Sequence, residues 1–374
     1  MNERDRLLTV LKKGKPDKIP WFADLSYIYN SLDERGQLEK KYSGDEGYLN
    51  FHIDLGAGIF CYAPFLWRTE YAPGITYSEN RDGDIKTFIW ETPKGKITSR
   101  KHYSRTSFCW AYTKHFIETI EDLRIMLYIY ENASHFENYE AFEKIDRLWN
   151  GYGIACGMTP VSSAPIQKLF SRWAGIENTM TIYLDHTDEF EEILQRLEQS
   201  EDEVFRIRGA SPAQYVEFPE NLSSEITGRN FFLKYNNPYY KRRNKELHKN
   251  GKITGIHIDG TLKSCLPLLA DSGFDVAEAV TPAPVGDVQL EDLRNTAGDN
   301  IVIWGGLPGA LFSPLFGEDV FEAHLTKAID TAKEDGSFVI GVADQVPPDG
   351  LLSRVKKVRE FIDKNGQPHW IKTG

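Results

Sequence analysis

Six short apolar runs, each followed by a polar or glycine-containing break and then a helical segment, constrain this chain more than any other feature. They are Gly153–Gly157, Tyr215–Phe218, Ile253–Ile258, Asp275–Val280, Ile301–Trp304 and Phe338–Val342. From residue 215 onward they recur at intervals of about 20 to 40 residues, the rhythm of β/α units in a parallel sheet. Adding the run Lys18–Phe22 and the segment 56–62 brings the count to eight. A doubly wound sheet rarely needs so many successive units, so the expected fold is α/β, a (β/α)8 TIM barrel formed by residues 1–374 as a single domain.

Other segments decorate that frame. Leu7, Leu8, Val10 and Leu11 recur at helical spacing until Gly14-Lys15-Pro16 stops the helix ahead of the first strand. Residues 60–110 turn aromatic and β-favouring, and Thr87–Thr92 and Lys96–Arg100, joined by Pro93-Lys94-Gly95, read as an inserted antiparallel hairpin. Helical periodicity returns over 115–132 and 187–207.

Charge narrows the partners. With 44 Lys and Arg against 55 Asp and Glu, the formal net charge is −11. Duplex nucleic acid and anionic membrane surfaces need a basic face, so neither is expected as a partner. The charged start Met1-Asn2-Glu3-Arg4-Asp5-Arg6 and the lack of a long apolar run point to a cytoplasmic location. Cys61, Cys109, Cys156 and Cys265 stand far apart with no CxxC pair, which suggests reduced thiols and no zinc ribbon.

A barrel of this kind places its chemistry at the C-terminal ends of the strands, so the polar residues ending the apolar runs are the candidates. Those are Glu217 and Asn221, His257 and Asp259, Glu278, Trp304 with its Gly305-Gly306 turn, and Asp344. One imidazole and several carboxylates suit a divalent metal, and we expect His257, Asp259, Glu278 and Asp344 as ligands and His257 and Asp344 as catalytic groups. His257 and Asp259, two apart, would share one face of a strand. Helix capping by Asp259 ahead of Gly260-Thr261 is the simpler alternative for that residue. Glu217, Asn221 and Trp304 are expected to contact substrate, with Phe65 and Trp67 from the aromatic 60–67 stretch forming a pocket wall. No serine occupies a Gly-x-Ser-x-Gly elbow, and Gly305–Gly309 fits neither a P-loop nor a dinucleotide fingerprint.

Several stretches are familiar. Arg4–Leu8 through Asp17-Lys18-Ile19-Pro20, Glu220–Ser224, Asn237-Pro238-Tyr239-Tyr240 leading to His257-Ile258-Asp259-Gly260, and Asp344–Asp349 together resemble the uroporphyrinogen decarboxylase superfamily, most closely from 214 to 363. The resemblance implies a (β/α)8 barrel and one of two activities: metal-free decarboxylation, or corrinoid-dependent methyl transfer, in which many members hold zinc. True decarboxylases of the family carry an arginine-rich motif after the first strand, where this chain reads Trp21-Phe22-Ala23-Asp24-Leu25-Ser26-Tyr27. Without those arginines a tetrapyrrole carrying eight carboxylates loses its charge-paired anchors. The thiol-alkylating methyltransferases use His-x-Cys and a later Cys; here Asp259 follows His257, and Asp344 stands near the later position. An oxygen-rich site of that kind suits an ether or hydroxyl oxygen better than a thiolate.

The expected function is therefore the substrate-side methyltransferase of a demethylase system, an O-demethylase component moving a methyl group from a small methylated molecule, such as a methyl ether, to the cobalt of a separate corrinoid protein. Zinc is the expected metal, the corrinoid protein the expected partner, and a homodimer the expected assembly. The alternatives are a decarboxylase acting on a smaller acid, with His257 or Asp344 as proton donor, and a ligand-binding barrel without catalysis.

Overall fold

The structure is a computed structural model that describes residues 1–60, 64–157 and 163–371. Its strands in chain order are β1 (Trp21–Phe22), β2 (Trp67–Tyr71), β3 (Thr76–Asp82), β4 (Ile85–Thr92), β5 (Gly95–Ser104), β6 (Cys109–Lys114), β7 (Ala133–Glu137), β8 (Tyr215–Leu222), β9 (Ile253–Ile258), β10 (Val276–Val280), β11 (Val302–Pro308) and β12 (Phe338–Ala343). The chain divides into two compact units, one of residues 1–65, 140–159 and 212–374, the other of residues 66–139 and 160–211.

The first unit holds the parallel sheet, in the order β1-β12-β11-β10-β9-β8. β10, β11 and β12 are buried at every position, which is why they read as unbroken apolar runs rather than as alternating ones. Two further strand positions carry the sheet round from β1 to β8. Phe22 bridges Gly58, Ile59 bridges Gly153, both in parallel, and the Gly157 N–H donates to the Tyr215 carbonyl at 2.9 Å. The eight expected positions thus form a (β/α)8 TIM barrel in which the second and third are short bridges instead of full ladders.

Helices cover this ring with one apolar stripe each. In Glu318–Asp335, Phe321, Leu325, Ala328, Ile329 and Ala332 are the buried residues, and the helix ends at Gly336 in the left-handed region. The N-terminal helix Glu3–Leu11 is capped by the Asn2 side chain, which accepts from the Asp5 N–H. Its Leu7, Val10 and Leu11 join the core made by Val276, Val302 and Val339, near the starts of β10, β11 and β12.

The second unit contains two antiparallel sheets, β3-β4-β5-β6 and β2-β7. The expected hairpin is β4 and β5, with Thr92 opposite Gly95. It forms part of a unit that extends well beyond residues 60–110 and that also includes helices Ile120–Glu131 and Thr187–Ser200. Those helices are clamped by ion pairs Arg124–Glu189 at 2.6 Å and Arg196–Glu131 at 2.8 Å. The expected helix 187–207 is broken at Glu201, which stays buried and pairs with the buried ammonium of Lys168. Among the described residues no helix is long and apolar enough to cross a membrane. Cys109, Cys156 and Cys265 are free thiols; Cys61 and Tyr62 lie outside the described residues.

Candidate functional site

Side chains two apart on a strand share a face, and the barrel interior is built on that parity. Tyr215, Val276, Val302, Trp304 and Val339 pack with Phe22, Phe60, Ile154 and Cys156 into one apolar layer. Two glycines make room for the largest members. A Cβ on Gly255 would stand 1.9 Å from the Tyr215 hydroxyl, and one on Gly341 would stand 2.6 Å from Trp304 Cδ1.

Two residues further along β8 and β10 from Tyr215 and Val276, and along β9 from Gly255, the layer becomes polar: Glu217, His257 and Glu278. His257 and Glu278 are register partners on adjacent strands, and Glu217 pairs with Gly255. His257 Nδ1 lies 2.6 Å from Glu278 Oε2, and His257 Nε2 lies 3.7 Å from Asp344 Oδ1. One ligand-capable atom from each of Glu217, His257 and Glu278 falls within 4.8 Å of the other two. Two carboxylate oxygens and an imidazole nitrogen are a donor set that suits zinc or a similar divalent ion.

The charges are mutually dependent. Burial draws the His257 imidazole down, but Glu278, Asp344 and Asp259 outweigh it and hold it up at about 9. At neutral pH both ring nitrogens therefore carry protons, and Nδ1 donates to Glu278. Burial first, then the nearby Glu278 and a hydrogen bond to it, push the Glu217 carboxyl well above the usual range. Burial raises Asp344 to about 6, against the pull of His257 and with the help of Asp259, Asp24 and Glu278. Asp24 is raised by burial too, although Gln345 and Ser26 hydrogen bonds oppose the rise. No lysine or arginine is among the strongest influences on these four groups.

The expected residues are placed unevenly. His257, Glu278 and Glu217 converge, with Glu217 moving from substrate contact to the ligand-capable set. Asp259 does not join them, because β9 ends at Ile258 and the parity argument ends with it. The capping alternative fails as well, since no α-helix starts after Gly260. Asp344 is the residue after β12, with φ 69° and a side chain 51% exposed, which puts it beside His257 rather than in the triad. Trp304 is fully buried against Phe60 at 4.4 Å and Phe22 at 5.9 Å, a core residue and not an open wall. Asn221 is exposed near the end of β8 with φ 48°. Trp67 begins β2 in the second unit opposite Glu137, and Phe65 is 46% exposed.

One participant was unforeseen. Asp24, buried two residues after β1, accepts from the Ser26 N–H at 2.8 Å and from Gln345 Nε2 at 2.7 Å. Its signal in the sequence was a carboxylate standing where the resemblance leads one to expect arginines.

Comparison with known proteins agrees with this architecture. A methyltransferase from Methanosarcina mazei superposes with a TM-score of 0.61 over 97% of this chain and 99% of that chain, at 14% identity, a likeness of fold. A search of curated proteins found no match. The family model described as uroporphyrinogen decarboxylase (URO-D) matches residues 161–365, more than half the chain. That span carries β8 to β12 and the Glu217, His257 and Glu278 cluster, and the chain belongs to the uroporphyrinogen decarboxylase family.

Proposed function

We propose that this chain is the substrate-side methyltransferase of a corrinoid-dependent demethylation system, binding a small methylated molecule and presenting its methyl group to a separate corrinoid protein, with zinc held by Glu217, His257 and Glu278. The observation that carries the reading is the convergence of those three side chains in one polar layer of the barrel. A divalent ion there would polarise a substrate oxygen and make it a better leaving group. The apolar layer of Trp304, Tyr215 and Phe60 beneath keeps water out from below. Glu278 orients His257 through Nδ1, and Asp344, exchanging its proton near pH 6, supplies one to the departing oxygen. The cobalt chemistry belongs to the partner's cofactor.

The shared fold with a methyltransferase supports the same direction. Decarboxylation of a smaller acid is the second reading, favoured by a His257 that stays protonated up to about pH 9 and could donate. The carboxylates around His257 outnumber that one cation, and no lysine or arginine is among the strongest influences on them, so an acid substrate would find little to pair its charge, and we rank this reading below.

The test is direct. Protein purified without chelator is assayed for metal and then mixed with cob(I)alamin and a panel of methyl ethers and methylated amines. Formation of methylcobalamin with about one equivalent of zinc, both lost in Glu278→Gln, is expected. Less than about a tenth of an equivalent of any divalent metal, together with no methyl transfer, would end the proposal.

A further inference from the structure

The first unit carries a cavity of about 510 Å³, lined by Ser26, Tyr27, Tyr29, Asp45, Tyr48 and Gln345 among others. Its walls come from the helix Ser26–Glu34 that follows β1, the start of the helix Gly44–Leu55, and the residue two beyond the end of β12. That places it at the C-terminal side of the barrel strands. We propose that this cavity binds a small organic cation of the methylated ammonium class; that the cation is the charged end of the methyl donor rests on the reading above, while the binding itself does not.

Three features carry the proposal. The first is the aromatic wall. Tyr29 and Tyr48 meet edge to face, 4.8 Å between centroids at 70°, and are braced from behind by Phe51 and His52 in turn. Tyr29 is fixed there because its hydroxyl donates to the Tyr42 carbonyl at 2.7 Å. An open tyrosine ring face in the wall offers a quaternary or tertiary ammonium a negative quadrupole surface, the kind of contact that recognises such groups.

The second feature is the sign of the charge. Among the described residues no lysine or arginine lines the cavity, while Asp45 does. Behind the wall, Ser26 and Gln345 both hydrogen-bond Asp24, and Gln345 follows Asp344 directly. The Tyr29 hydroxyl is raised above its ordinary value by burial and then by Asp33 and Asp45, with no cation opposing them. Asp45 has an ion-pair contact with Lys144 at 3.9 Å, on side chains 59% and 73% exposed. An exposed pair of that length is weak and easily displaced.

The third feature is size and polarity. The volume falls in the range of small-ligand pockets. Ser26, Asn30 and Gln345 supply polar groups for a hydroxyl or ether on the same molecule. An anion of similar size would meet Asp45 in the wall, with no lysine or arginine among the described lining residues to pair it.

The experiment uses choline, its neutral isostere 3,3-dimethylbutan-1-ol and the anion 3,3-dimethylbutanoate, titrated calorimetrically into the full chain in chelator, with no corrinoid present. Choline should bind, the alcohol about tenfold more weakly, and the acid not measurably. Tyr48→Leu should weaken choline by about tenfold and Asp45→Asn by a smaller factor, with unchanged melting curves establishing that both variants are folded. Failure of choline to bind at about 50 mM, equal binding of the alcohol, or folded Tyr48→Leu and Asp45→Asn proteins that bind as wild type would each overturn the proposal. Choline binding of the expected kind in a protein that takes up no zinc and transfers no methyl group would leave this inference standing and remove the functional one.

Discussion

The His257–Glu278 pair should make the metal-free protein pH-dependent in a defined window. His257 is 16% exposed and Glu278 2%, so solvent screens the pair little. The imidazole is raised from 6.5 to about 9 by its carboxylate neighbours, a rise that outweighs burial. A group whose folded value is raised contributes stability that is complete below the unfolded value and is lost as pH rises through the folded one. The full contribution is therefore on the order of 3 kcal/mol, nearly all of it present at pH 6, about two thirds at pH 7.5 and little at pH 9. His257→Gln keeps a donor for Glu278 but removes the titration. Wild type should lose about 3 kcal/mol more than the variant between pH 6 and pH 9, or about 6 °C in melting temperature for a unit of this size. Thermal melts of both proteins in chelator at pH 6, 7.5 and 9 read it out. Parallel pH profiles for the two proteins would refute the reasoning, because they would mean His257 carries no proton that folding stabilises.

Other expectations follow from the same geometry. Zinc must displace the His257 proton and any proton on Glu217, so apparent zinc affinity, measured by competition with a chromophoric chelator, should rise at least about tenfold per pH unit between pH 7 and pH 9. His52, fully buried, is held down at about 4 by burial although backbone carbonyl contacts oppose it. Its depressed value means that stability is intact above pH 6.5 and falls by about 3 kcal/mol as pH drops to 4; denaturant titrations of His52→Gln should lack that loss. Arg354, 3% exposed, donates at 2.7 Å to the carbonyls of Leu311, Ser313 and Phe316 and pairs with Glu318 at 3.0 Å. Arg354→Ala should cost about 3 to 5 kcal/mol and open residues 309–317 to limited proteolysis.

The barrel was largely legible, and where it was not the reasons are local. β8 to β12 announced themselves because parallel strands buried on both faces need unbroken apolar runs. The positions at 56–62 and 153–157 were found, but Gly58 and Gly153 offer no side chain to pack and sit in single bridges. The second unit was read element by element and not as a unit. Its helices have clear 3.6-residue stripes, yet nothing local says that Arg124 will reach Glu189 or that Lys168 will meet Glu201. The site was half legible for a related reason. His257 and Glu278 follow from strand parity, which holds inside a strand and lapses one residue past its end, as at Asp259 and at Asp344 with its left-handed φ of 69°. Glu217 was visible as a strand residue, but whether a carboxylate caps a helix or faces an imidazole is decided by a neighbouring strand 40 residues away.

The layer order of the barrel explains how so acidic a centre is tolerated. A buried carboxylate without a partner costs several kcal/mol, and three of them, Asp24, Glu217 and Glu278, are at most 6% exposed. The cost is offset in two ways. Tyr215, Trp304, Phe22 and Phe60, set one layer deeper, form an aromatic cluster whose burial does not depend on the charges above it. The carboxylates themselves are graded, since burial biases Glu217 toward its neutral form, Glu278 accepts from the His257 ring, and Asp24 is held by neutral donors. A divalent cation entering the layer would replace protons rather than break packing, which is the condition under which metal binding and folding remain separable. Trp304→Ala separates the two contributions. It should cost about 3 to 5 kcal/mol by denaturant unfolding while leaving the pH profile set by His257 unchanged, and a profile flattened along with the stability would show that the polar layer depends on the aromatic one.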